Sequence, residues 1–505
     1  MAICGLEPVP AGDDDAGMSP LDRLPFDNRT ARLPETLFAR VAAQPHGRHH
    51  LVHASADALA LLDLPPDITA DPDFVEVFSG RRVPAGAEPI ATVYAGHQFG
   101  IWVPQLGDGR ALLLGELVNR RGERWEVQLK GAGRTPYSRM GDGRAVLRST
   151  IREYLGSEAM HHLGIPTTRA AAIIGSDGPV LRESVESGAI LVRLAPSHLR
   201  FGHFQFLYYS GRHELLRELL DFAIALHFPG LAALPDAERH AALFANVIER
   251  TAQLVAGWQA VGFTHGVLNT DNMSLLGLTI DYGPFGFLDA YQPGFVCNHS
   301  DDDGRYAFDR QPSIAWWNLS AFGQTLTPLV PVERLRALLD GFSEQYAQAY
   351  AARMRAKLGL REARDEDEAL LEDLLGLMAG CGADYTNTLR SLCDFRPGTG
   401  PQALLDTVAD PAGFETWLQR YGERLRAEAS DDETRAANMR RVNPKIVLRN
   451  WLAQRAIEQA ENGDYAGIDR LLRLLQTPFD EHPEAPDCYG EPPDWARSLA
   501  LSCSS

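Results

Sequence analysis

The chain has 505 residues, a formal net charge of −19, 45% hydrophobic and 23% charged residues, the composition of an ordinary globular enzyme with a large core. That acidity argues against extended contact with nucleic acid or an anionic membrane, and no apolar run is long enough to cross a bilayer. Six cysteines make no disulfide framework in this length, and without C-x-x-C or H-E-x-x-H spacing a zinc centre is not expected.

Met1 to Met18 carries Asp13-Asp14-Asp15 and lacks a basic segment followed by an apolar core, so it does not read as a secretory signal, and it is too acidic for a transit peptide. Residues 1–20 are expected to be disordered, with Met18 an alternative start, and the cytoplasm is the expected location. No repeat or low-complexity linker interrupts the chain, which favours one continuous catalytic unit, with about Leu24 to Pro45 wrapping a larger body. The adjacent pairs His49-His50 and His161-His162 point to different sides of a helix or strand and make poor metal ligands. Trp102 to Leu106 reads as a strand, Gly107-Asp108-Gly109-Arg110 as a tight turn, and Ala111 to Glu116 as the returning strand. Trp125 to Lys130 alternates like another strand. Apolar residues from Val146 to Leu163 recur at helical spacing and stop at Gly164-Ile165-Pro166. Thr168–Ile174, Val180–Glu183 and Ala189–Ala195 read as three short strands separated by glycine turns. Leu243 to Trp258 forms an amphipathic helix leading into His265, and helices are expected over Val332–Lys357, Glu366–Met378 and Pro444–Glu461.

Strands with one interposed helix first, and mostly helices afterwards, predict an α+β chain of two lobes with a nucleotide between them. The expected division is a disordered 1–20, an N-terminal extension and nucleotide-binding lobe over 21–195, a mainly helical lobe over 196–480, and a tail over 481–505 that carries Cys503.

The chemistry concentrates in His265-Gly266-Val267-Leu268-Asn269-Thr270-Asp271-Asn272, followed by Asp281-Tyr282-Gly283. This is the outline of a kinase-type catalytic loop and metal loop, in which an Asp takes the acceptor proton and an Asn and a second Asp hold magnesium. Here Val267 occupies the usual base position and cannot accept a proton. Asp271 is the only carboxylate in the loop, so the base role falls to it, with water-mediated metal contact as the alternative. Asn272 and Asp281 supply the hard oxygens magnesium prefers. Upstream, Gly107 and Gly109 leave backbone N–H groups free to approach phosphate, Lys130 ends a strand, and Glu153 lies on the following helix. A second Gly-Asp-Gly-Arg segment, Gly141 to Arg144, is read as opening that helix. Arg193, pointing away from Ile190, Val192 and Leu194, and Arg200 offer planar forks suited to phosphate oxygens.

With these residues assembled, the chain resembles the selenoprotein O family of protein adenylyltransferases, also called the YdiU family in bacteria. The resemblance runs from about Leu24 to Ser505. It is carried by Tyr94-Ala-Gly-His-Gln-Phe-Gly100, Gln105 to Arg110, Gln128 to Arg139, His265 to Asn272, Asp281 to Phe285, Cys297 to Asp301 and Cys503-Ser-Ser505. It implies a protein-kinase-like fold with an N-terminal extension and additional C-terminal helices. It implies ATP bound in a reversed orientation, and transfer of AMP to Ser, Thr or Tyr hydroxyls of proteins, with UMP from UTP in bacterial members. Nucleotide contacts are implied at Gly107, Gly109, Arg110, Lys130, Asp142, Gly143, Arg193, Arg200 and Asp281. Glu153 is implied as the partner of Lys130, Asp271 as proton acceptor, and Asn272 with Asp281 as ligands of Mg2+ or Mn2+. Eukaryotic relatives carry selenocysteine near the C-terminus where this chain has Cys503, and a regulatory Cys297–Cys503 disulfide is the corresponding expectation. An orthodox phosphotransferase and a non-catalytic nucleotide-binding scaffold remain the alternatives.

Overall fold

A computed structural model describes residues 19–399, 401–499 and 501. The expected disordered segment therefore lies outside the described residues up to position 18, while Ser19 caps a short 3-10 turn over Pro20–Arg23. The chain is α+β, as its pattern predicts. Its strands are β1 (Phe38–Arg40), β2 (His49–Ala54), β3 (Ile90–Thr92), β4 (Gly96–Gln98), β5 (Ile101–Val103), β6 (Ala111–Val118), β7 (Arg124–Lys130), β8 (Ala145–Val146), β9 (Arg169–Leu181), β10 (Val185–Ala195), β11 (Phe263–Thr264) and β12 (Gly286–Phe287). An antiparallel sheet runs in the order β1-β3-β6-β7-β10-β9-β2, with β8 pairing to β10, and β4–β5 and β11–β12 form separate two-stranded ribbons. Among the described residues no helix is long and apolar enough to cross a membrane.

Both faces of the sheet are covered, and the side-chain period of two sorts its residues between them. Leu113, Ile173 and Leu191 pack with Ile151 and Leu155 of the helix Leu147–His162. Leu112, Leu129, Ile174, Ile190 and Val192 face the other way, onto Leu59, Phe74 and Phe78 from the N-terminal segment. The early chain thus supplies the second lid of the sheet. Beyond it the chain is mostly helical, and a second core gathers Leu370, Leu374, Trp417 and Tyr421.

Four local expectations need correction. The hairpin read over 102–116 does not form: β5 ends at Val103 and pairs with β4, whereas β6 pairs with β3 and β7. Pro104 has no N–H with which to extend β5. Leu106 and Asp108 instead donate their backbone N–H groups to Tyr94 and Thr92, so the segment runs beside the end of β3. The three short strands over 168–195 are two long ones, β9 and β10. Gly178, read as a turn, sits inside β9 because residue 46 approaches so closely that a Cβ would collide with it. Finally, 332–357 is two helices, Val332–Asp340 and Phe342–Lys357, and the last expected helix begins at Asn450 rather than Pro444. The amides of Lys445 and Ile446 are taken by the carbonyl of Pro478 and are not available for a helical ladder.

The helix Leu147–His162 is tied to the sheet by charge as well as by packing. Glu158, with no side-chain exposure, takes Nε and Nη2 of Arg169 at 2.8 Å each, and also accepts from Ser55 Oγ and the Ala170 N–H. Removing one member of such a pair leaves the other buried and uncompensated, at a cost of ~3–5 kcal/mol. Glu158→Ala is therefore expected to lower the thermal midpoint sharply, read by calorimetry, and an unchanged midpoint would contradict that account.

Glu116 and Glu126 stand directly opposite each other on β6 and β7. Burial, aided by the charge of Glu126, pushes the Glu116 carboxyl up to about 7. A carboxyl raised on folding contributes stability that is complete below its unfolded value near 4.5 and is lost as pH climbs through about 7. Glu116→Gln keeps an acceptor for the Thr30 N–H. It is expected to leave stability nearly unchanged at pH 4 and to raise it by ~1–3 kcal/mol at pH 8, in paired denaturant titrations.

Candidate active site

The 26-residue helix Asp236–Val261 ends at Gly262, whose left-handed backbone (φ 71°) closes the last turn, and the chain passes through β11 directly into His265. His265 Nε2 donates to the carbonyl of Ile280 (2.8 Å), and its backbone N–H donates to Gln311 Oε1 (2.9 Å). The histidine is a buried strut that holds the 265–272 loop against the residue preceding Asp281. Asn272 Nδ2 donates to the carbonyl of Val267 (2.8 Å), which folds the loop on itself. Asp281 adopts a left-handed backbone (φ 56°), rare for a residue with a side chain, at the start of its loop.

The sheet delivers the cations. Lys130 and Gln128 alternate onto one face of β7, opposite Leu191 and Arg193 of β10, and this face looks toward the helix that carries Glu153. Lys130 Nζ bonds Glu153 and stands 3.2 Å from Asp281 Oδ1. Arg193 Nη1 donates to Glu153 Oε1 (3.0 Å) and Asp281 Oδ1 (2.5 Å), while its Nε donates to Gln128 Oε1 (3.0 Å). Arg200 bonds Asp281 Oδ2, and the same nitrogen donates to the backbone carbonyl of Asp271 (2.9 Å). Three cations thus meet two carboxylates in a largely buried web that keeps an excess of positive charge. Burial opposes ionisation of Asp281, but Arg200, Arg193 and Lys130 outweigh it and hold the carboxyl well below the usual range. Burial, only partly offset by Arg200, pushes Asp271 up to about 6, which leaves it ionised at neutral pH. Its Oδ1 is buried and meets no hydrogen-bond donor among the described residues.

The structure brings Lys130, Glu153, Arg193, Arg200, Asp271, Asn272 and Asp281 into one neighbourhood. The glycine segments lie at its border. Gly107 (φ 142°) packs under Tyr137, and the carbonyl of Gly109 accepts from Ser138 Oγ. Arg110 is exposed, and its charge is felt at Lys130. Gly141 to Arg144 does not open the helix, because β8 intervenes before Leu147. Asp142 is held by Arg182 (2.8 and 3.1 Å), and Gly143 (φ 72°) lies against Gly133. Cys297 is buried against Gly266, and the Leu501 carbonyl accepts from the His299 N–H (2.7 Å); Cys503 lies outside the described residues.

Sequence reasoning missed several residues. Gln128 orients Arg193, Asp108 accepts from the Thr92 N–H (2.8 Å) beside the glycine segment, and Arg200 lies over the Tyr94 ring at 5.0 Å. The distinctive run Tyr94 to Gly100 was visible in the sequence, but nothing local connects it to residues 170 positions later.

An oxygen-only set suits a magnesium-like ion. Among the described residues no three His, Cys, Asp or Glu side chains converge for a metal. A cation here would rest on Asp281 and the Asn272 amide oxygen, with phosphate oxygens and water completing its shell, as magnesium commonly does.

A family model described as protein adenylyltransferase SelO matches residues 20–476. The chain is 54% identical over 490 residues to the protein nucleotidyltransferase YdiU of Myxococcus xanthus (strain DK1622), an alignment covering 97% of this chain and 100% of that relative. It is also 54% identical over 494 residues to the protein nucleotidyltransferase YdiU of Thioalkalivibrio sulfidiphilus (strain HL-EbGR7), with the same coverage of each chain. On a family match of this extent and relatives this similar end to end, the chain belongs to the SelO family of protein adenylyltransferases.

Proposed function

We propose that the protein transfers AMP from ATP, and UMP from UTP, to Ser, Thr or Tyr hydroxyls of other proteins, releasing pyrophosphate. Family membership makes the chain a nucleotidyltransferase. The finer reading is carried by one observation: the kinase-type base position holds Val267, while the only loop carboxylate, Asp271, sits beside Asn272 with an unused buried oxygen. We further read the sheet with its helix, and the helical remainder, as the two lobes of a protein-kinase-like fold; the Lys130–Glu153 bond between strand and helix supports that reading.

In this mechanism Lys130, Arg193 and Arg200 bind the β- and γ-phosphates of a nucleotide held in reversed orientation. Gly107, Gly109, Arg110, Asp142 and Gly143 border the same nucleotide. Glu153 keeps Lys130 and Arg193 in place. Asp271 accepts the proton of the acceptor hydroxyl as its oxygen bonds the α-phosphorus, and the α–β bridging bond breaks to release pyrophosphate. Asn272 and Asp281 would hold Mg2+ or Mn2+, which supplies charge neutralisation on the phosphates. Positioning and neutralisation carry most of such a displacement, which is why the site is rich in buried cations.

ATP labelled at the α- or the γ-phosphate separates the readings, with magnesium and casein as acceptor. Protein label from the α-position alone is expected. Label from the γ-position alone would mean ordinary kinase chemistry, and no label despite ATP binding would favour a scaffold. A Cys297–Cys503 disulfide is part of the proposal. Cys297 touches the catalytic loop at Gly266, and the carbonyl of Leu501, two positions before Cys503, accepts from His299, two positions after Cys297. Non-reducing peptide mapping of oxidised protein should find that cross-link, and its absence would remove the regulatory reading.

A further inference from the structure

The Tyr94–Gly100 run has no role in the mechanism described so far, yet it supplies β4 and the turn of the β4–β5 ribbon that lies on the catalytic loop. The His97 N–H donates to Thr270 Oγ1 (2.7 Å), and the Phe99 N–H donates to Asn269 Oδ1 (3.1 Å). Thr270 Oγ1 donates onward to Gln205 Oε1 (2.7 Å), and Gln205 Nε2 returns to His97 Nδ1 (3.1 Å), closing a ring between ribbon and loop. Tyr306 adds a second latch, its hydroxyl donating to Asn269 Oδ1 (2.5 Å) and lying 2.9 Å from the Phe99 nitrogen. Gly96 passes so near Asp271 that a Cβ there would stand 2.7 Å from Oδ1 and 3.1 Å from the Asp271 Cβ, so a larger residue would push on the carboxylate. Within this frame Gln98 Nε2 donates to Asp271 Oδ2 (3.3 Å), while Oδ1 stays buried without a donor among the described residues.

We infer that Gln98 is the positioning residue of the transfer reaction: its amide donates to one carboxylate oxygen of Asp271 and thereby fixes the rotation of the group that takes the acceptor proton. The terminal torsion of an Asp side chain is broad and roughly two-fold, so without an external tether the two oxygens exchange and the plane drifts. Arg200 Nη1 donates to the backbone carbonyl of Asp271 and fixes its main chain, but not how its carboxylate is rotated. Gln98 supplies the rotational constraint with a neutral donor, and the latches at His97 and Phe99 keep the ribbon from carrying Gln98 away. The inference rests on the reading of Asp271 as proton acceptor.

The test uses the full-length protein with Gln98→Ala and Gln98→Glu, α-labelled ATP and casein, measuring kcat, KM for ATP and the Kd for ATP by calorimetry. Loss of the tether is expected to lower kcat by ~10- to 100-fold in Gln98→Ala, the scale of a small misplacement of a reacting group. KM and Kd for ATP should stay close to the wild type. Gln98→Glu preserves the shape but sets a second carboxylate against Asp271, so its kcat should fall below that of Gln98→Ala. If Gln98 only fills space, Gln98→Glu would be the more active of the two, and the inference is overturned. Wild-type kcat in Gln98→Ala overturns it as well, as does a loss of ATP affinity parallel to the loss of kcat. A wild-type protein that transfers no α-label sinks the adenylyl-transfer reading itself, whereas an active wild type with an equally active Gln98→Ala sinks the positioning role alone.

Discussion

Asp281→Ala is expected to abolish incorporation of α-label into protein, by ~1,000-fold or more, while binding of the nucleotide triphosphate without metal persists or tightens. The two halves of this expectation come from the two sides of the residue. One is the hard-oxygen donor that, on the proposed mechanism, holds the divalent cation with Asn272, and losing it would remove the charge neutralisation on which phosphoryl displacement depends. The other is the carboxylate that engages Lys130, Arg193 and Arg200 together. Without it, those buried cations lose a competitor for phosphate oxygens. Equilibrium dialysis of ATP in chelator, beside the labelling assay with magnesium, checks both. A variant that keeps transferring would remove Asp281 from the chemistry, and one that loses metal-free ATP affinity would mean that the cations need the carboxylate to stay in place. Asp281→Asn preserves the shape and should show the same loss of transfer with less disturbance of the fold.

Asp271→Asn should reduce kcat by ~100- to 10,000-fold at nearly unchanged ATP affinity, the range spanned by loss of a positioned general base. The substitution is almost isosteric. Its carbonyl oxygen can still accept from Gln98, which places the new NH2 where Oδ1 now lies buried and unpartnered. A group that must take a proton is thereby replaced by one that can only donate. Arg200 bonds the backbone carbonyl of Asp271 rather than its side chain, so the link between the two loops survives. Single-turnover labelling with α-labelled ATP reads the chemical step directly. Full activity in Asp271→Asn would mean that the acceptor is deprotonated elsewhere, and equal losses in kcat and ATP binding would assign the carboxylate to ground-state binding.

Much of the site was legible because its parts are short and chemically distinctive. The His265–Asn272 loop, the Asp281 triplet, the strand lysine and the helix glutamate each announce an oxygen donor or a cation at a position where local pattern predicts a loop, a strand end or a helix. Alternation along Ile190 to Leu194 also shows that Arg193 leaves the apolar face, and the fold places it there. Secondary structure followed wherever a single period ran unbroken, as in the helix Leu147–His162. It failed where glycine had two meanings. Gly107 and Gly109 are not the corner of a hairpin, and Gly178 is not a turn; close approach by another segment requires them, and a chain read in order contains no record of that segment.

The sequence by itself determined the α+β class, the loop that holds Asp271 and Asn272, and the absence of a base at Val267, because each rests on residues near one another in the chain. Only the tertiary structure decided that Arg193 and Arg200 converge with Lys130 on one carboxylate, that His265 is a strut, and that Gln98 reaches Asp271 across 173 positions of sequence. The physical reason is range. Periodicity and turn chemistry act over a few residues, whereas ion pairs and side-chain hydrogen bonds form at about 3 Å between groups that only the packed sheet and helices bring together.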